Sequence, residues 1–135
     1  MTEYRDELAY LMRERLGPKK DRPVRYTAAF SLTSSIADLL AEREFAAFLD
    51  AALRGDRDSR KREGPVTWTF REYFADALRE AVGESGQADG LREAWHIAYT
   101  VHCILPGDEF GAFIQCASDA WSETVDLAQR MTAGV

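Results

Sequence analysis

From Phe110 to Met131 the apolar residues return every three or four positions, as Phe110, Phe113, Ile114, Ala117, Trp121, Val125, Ala128 and Met131. That spacing draws one stripe down a helix of 3.6 residues per turn and does not fit the two-residue alternation of a strand. Asp119, Glu123, Asp126 and Arg130 fall on the back, and Asp108 is placed to cap the start. A stripe of this length must be covered by other helices, and the same period recurs along nearly the whole chain.

Near the start, Tyr4, Leu8, Leu11, Met12 and the stem of Arg15 share a face, and Gly17-Pro18 supplies a stop. The run from Thr33 to Gly55 changes phase. Ile36, Leu39 and Leu40 centre on one direction, while Phe45, Phe48, Leu49, Ala52 and Leu53 centre on nearly the opposite one. Two helices meeting near residues 42–44 account for this, with Thr33 or Ser34 capping the first and Gly55 ending the second. Thr69-Phe-Arg-Glu72 has the form of a capping box, in which Thr69 reaches the third helical amide and Glu72 reaches back. Phe70, Tyr73, Phe74, Ala77, Leu78 and Ala81 form the stripe that follows it. The Gly-rich residues 83–90 break the chain again, and Asp89 is placed to cap the next helix. The strand-like piece at 65–69 is too short to stand as a sheet. The expected architecture is a single-domain all-α bundle of about five to six helices over residues 1–135, ending in an antiparallel helix pair around a Pro-Gly-Asp turn.

Both histidines and one of the two cysteines fall in one segment, Ala94 to Leu105. Residues that share a metal on one helix stand three or four apart. His96 and His102 are six apart and point about 120° from each other; His96 and Cys103 share a direction but lie roughly 10 Å apart along the axis. Neither pair chelates a metal alone, and adjacent His102 and Cys103 diverge too far to act as base and nucleophile. Instead, Leu91, Ala94, Trp95, Ala98, Val101, His102 and Leu105 form an apolar face that Ile97 and Ile104 widen. That reading makes this the central helix of the bundle, with His102 facing inward toward a carbonyl or a Tyr hydroxyl and His96 near the rim. Neither a cofactor nor a metal is expected. Cys116 reads as a small apolar residue, and a Cys103–Cys116 bridge is a poor fit to the turn between them.

Charge is unevenly placed in a chain of net −6. Residues 1–79 hold 15 Lys and Arg against 14 acids, and residues 80–135 hold 2 against 9. Basic residues gather in two expected loops, at about 17–26 (Lys19, Lys20, Arg22, Arg25) and 55–67 (Arg57, Arg60, Lys61, Arg62, with Arg54 adjoining). These are either solvated loops over an acidic body or contacts for phosphate or an acidic partner. The longest stretch without a charged residue, Trp95 to Gly107, is too short to cross a membrane. The first ten residues are charged and amphipathic, without the apolar core of a secretion signal. Two cysteines give no disulfide framework, and a reducing, cytoplasmic setting is expected.

Three functions fit this pattern. The first is a non-enzymatic regulatory or protein-interaction module, self-associating as a homodimer through whatever part of the C-terminal stripe the chain leaves uncovered. The second is a helix-turn-helix DNA binder. Ile36, Ala37 and Leu40 suit such a motif, but the following helix, Glu44 to Leu53, offers almost no side chain to read bases, and Arg54 is its nearest cation. The third is a small-molecule pocket lined by Trp95, His96, Tyr99 and His102, with Trp68, Tyr73 and Trp121 as further aromatics.

Overall fold

The computed structural model describes residues 2–40, 42–61, 67–82, 89–105 and 107–133. Among these residues six α-helices follow one another: α1 (Thr2–Leu16), α2 (Val24–Leu39), α3 (Glu42–Lys61), α4 (Phe70–Val82), α5 (Asp89–Ile104) and α6 (Asp108–Ala133), with one 3-10 turn at Lys19–Asp21. There is no strand among the described residues, and the helices close around one core as an all-α bundle. Several expectations fall outside the described residues: Pro65 and Val66 of the strand-like piece, Pro106 of the turn before α6, Arg62, and the side chains of Lys19, Asp89 and Met131.

Helix α1 ends where Gly17 takes φ +95, a conformation that a side chain disfavours, so the expected stop is the observed one. Pro23 then opens α2; a proline costs least at a helix start, where an N–H has no partner to lose. The first basic segment is therefore shorter than expected, because Arg25 and Tyr26 already belong to α2. Thr33 and Ser34 are not caps. They lie in the middle of α2, almost fully buried, and their hydroxyls have no partner among the described residues. The phase change does mark two helices: Leu40 is extended, its amide held by the Ile36 carbonyl, and α3 begins at Glu42.

Helix α3 does not end at Gly55. It runs on to Lys61, so residues 55–61 are helix and not loop. Gly55 instead lets α4 approach: a Cβ there would stand 2.8 Å from the Phe74 Cα. With Gly55 in place, Phe48 meets Phe74 edge to face at 5.2 Å, and α3 and α4 form the most extensive helix contact in the molecule. At the start of α4 half of the expected capping box forms: the Glu72 carboxylate accepts from the Thr69 amide at 2.8 Å, but the Thr69 hydroxyl donates to that same carboxylate instead of accepting from a helical amide.

The centre of the bundle is formed by α3 and α6, not by α5. Phe45, Phe48, Leu49 and Ala52 on α3, and Phe110, Phe113, Ala117 and Ala120 on α6, are essentially without exposure. Helix α6 packs on α1 and α3, whereas α5 packs chiefly on α2 and buries Leu91, Ala94, Ala98 and Val101. The last two helices thus meet near their junction and then take different partners. The inner part of the α6 stripe, Phe110 to Trp121, is covered within the chain; only its far end emerges, where Leu127 and Ala128 are exposed. No helix among the described residues is long and apolar enough to cross a membrane.

Candidate functional site

The aromatic residues of α5 separate into two groups along the helix. Toward its start, Trp95 and Tyr99 lie one turn apart with nearly parallel rings, 6.1 Å between centroids and 10° between planes. His96 meets Trp95 edge-on at 5.0 Å, and Phe74 supports Trp95 from α4 at 6.4 Å. Over this pair lies Arg71, its guanidinium carbon 5.2 Å from the Trp95 ring and 5.5 Å from Tyr99. Arg71 and His96 are exposed, Trp95 and Tyr99 half-buried, so the group is a surface platform on α4 and α5. The Trp95 indole N–H is enclosed and has no acceptor among the described residues.

Further along, His102 leaves this group. Its imidazole lies against Phe70 at 3.9 Å, with Phe110 edge-on at 4.8 Å. A ring stack, rather than the expected hydrogen bond to a carbonyl or Tyr hydroxyl, holds it among the described residues. Burial pushes its pKa below the ordinary 6.5; Arg60 acts in the same direction and Asp56 opposes.

Of the other aromatics, Trp68 pairs with Tyr73 at 5.3 Å. Trp121 belongs to a core triangle with Tyr4 and Phe45, where all three rings meet edge to face. The expected pocket group is thus reduced to Trp95, His96 and Tyr99. Arg71 and Phe74 join it from α4, and no motif or spacing in the sequence placed them there.

Of the seven candidate phosphate-binding residues whose side chains are described, four are engaged inside the chain. Arg25 holds Glu109 through two hydrogen bonds of 3.0 and 2.6 Å, which keeps that carboxyl below the usual carboxylate range. Arg54 pairs with Glu80 at 2.7 Å, and Arg22 donates to the Gly17 carbonyl at 3.1 Å. Arg60 joins three groups: the Asp56 carboxylate at 3.1 Å, the Gly107 carbonyl at 2.8 Å, and Asp108. Asp56 is itself buried, in space left by Gly111, where a Cβ would come 3.0 Å from its Oδ2. Lys20, Arg57 and Lys61 are exposed and have no such partner among the described residues. The outward side of α3 therefore mixes Asp50, Arg54, Arg57, Asp58 and Lys61, while its apolar side is enclosed by α4 and α6.

Contrary to the expectation that this segment lacks metal-ligand spacing, Glu93 and His96 have the Glu-x-x-His spacing that bundle metal sites use. Both are exposed, and no group of three or more His, Cys, Asp or Glu that could hold a metal occurs among the described residues. Cys103 is exposed and Cys116 buried, and both are free thiols. Comparison with protein-family models, curated proteins and solved structures finds no match to this chain.

Proposed function

We propose that this chain is a non-enzymatic interaction module that engages a partner through the outward face of α4 and α5. The observation that carries this reading is the platform of Trp95 and Tyr99, left half-exposed beneath the exposed Arg71. Trp, Tyr and Arg are the residues that dominate binding energy at protein interfaces. Large rings bury much area for little lost rotamer freedom, and a guanidinium adds directional donors. A second copy is one such partner. Self-association through the α6 stripe is confined to its emerging end, because Phe110 to Trp121 are already covered.

A photo-crosslinking side chain in place of Tyr99, compared with one in place of Asp50 on α3, tests the reading in the native host. The expected result is a discrete crosslinked species from position 99, a dimer mass if the partner is a second copy, which disappears when Arg71→Glu is added. Equal crosslinking from both positions, or no effect of Arg71→Glu, overturns it.

A further inference from the structure

Seven arginines have a carboxylate oxygen within 3.9 Å among the described residues. Arg71 has none there and lies over aromatic rings instead. Arg92, also exposed and without a carboxylate among the described residues, stands one helical turn before Trp95 and His96 on the same side of α5. Beside them the Trp95 indole N–H is enclosed and has no acceptor among the described residues. Two cations thus flank an apolar platform, on a chain whose net charge is −6.

Resting on the reading of this face as an interaction surface, we propose that its partner is an acidic protein segment, with carboxylates flanking one aromatic or large apolar side chain. The carboxylates meet Arg71 and Arg92, and the apolar side chain lies on Trp95 and Tyr99. Ion pairs of this kind act within about 8–10 Å at ordinary ionic strength, so a local patch works despite the acidic body. Nucleic acid is disfavoured by the same charge. An extended polyanion runs past the patch into the field of the whole acidic chain, and binding it requires a longer cationic track than two arginines provide.

The test uses the full chain labelled with nitrogen-15, with the indole signals of Trp68, Trp95 and Trp121 assigned by single Trp→Phe substitutions. The probe is the blocked peptide Glu-Glu-Phe-Glu-Glu, set beside its Gln-for-Glu analogue and an oligothymidylate. The acidic peptide is expected to move the Trp95 indole signal saturably and leave that of core Trp121 in place. Arg71→Gln weakens binding about fivefold, as does salt at about 0.5 M. Arg71 is exposed, and an unchanged Trp121 signal shows that the variant remains folded. The proposal is overturned if the Gln analogue acts equally, if only the oligothymidylate acts, if Arg71→Gln has no effect, or if no probe moves Trp95. Any of these results with Tyr99 crosslinking retained leaves the interaction surface standing with a partner of different chemistry. Loss of the crosslinking as well removes both.

Discussion

The imidazole of His102 lies flat on the ring of Phe70, with 3.9 Å between centroids and 4° between planes. The stack joins α5 to the first residue of α4, and Phe110 closes it from α6. Protonation would place a cation in this half-buried space near Arg60, with Asp56 as partial compensation. Because the folded-state pKa is depressed, the unfolded chain binds the proton more readily. The stability from neutral His102 is complete above about pH 6.5 and is lost as pH falls through that value toward the lower folded pKa. Urea unfolding across this range should show falling stability in the natural chain and a flatter profile in His102→Phe. Identical slopes would remove His102 as the cause.

Gly55 in mid-helix invites replacement by alanine, which in an exposed helix gains up to about 1 kcal/mol. Here the added Cβ meets Phe74 backbone atoms at 2.8 and 2.9 Å, which do not rotate away. Gly55→Ala is expected to destabilise by about 1–3 kcal/mol, seen as a lower thermal midpoint. A rise in midpoint would show that the two helices are not in that contact.

Arg60 fastens the end of α3 to the start of α6 through Asp56, Asp108 and the Gly107 carbonyl. Removing it leaves Asp56 as a buried carboxylate without its cation. Discounted for the half-exposed arginine, Arg60→Ala should cost about 1–2 kcal/mol in chemical denaturation. Arg57→Ala, one turn earlier and exposed, is the comparison and should change little; equal losses would mean that the network contributes nothing of its own.

The two thiols should react on different schedules. Cys103 is exposed, whereas Cys116 is enclosed, and burial pushes its thiol above the ordinary value. A thiol-specific chromogenic reagent is expected to titrate one equivalent quickly and the second only with unfolding. Two fast equivalents in the folded protein would contradict the placement of Cys116 in the core.

Much of the fold was legible locally. Gly17, the capping box at Thr69 and Glu72, and the phase change before α3 act through a few neighbouring residues, and each marked a real boundary. Misreadings arose where one residue type has two uses. Gly55 can end a helix or admit a neighbouring one, and only α4 decides between them. Thr33 and Ser34 are good caps, but Pro23 had already started the helix that buries them. The candidate site was half visible: Trp95, His96 and Tyr99 share a helical face by their numbers alone, while Arg71 comes from another helix.

The sequence by itself determined that this chain is an all-α bundle, since a 3.6-residue apolar period requires helices with a face to hide. It did not determine what covers each face. The aromatic residues at the edges of α5 imitate the all-round apolar surface of a central helix, yet they form a half-exposed platform because α3 and α6 occupy the core. Only the tertiary structure placed Arg71 over Trp95 and Tyr99 and paired Arg15 with Asp119, Arg25 with Glu109 and Arg54 with Glu80, because these contacts join residues distant in sequence that no local pattern brings together.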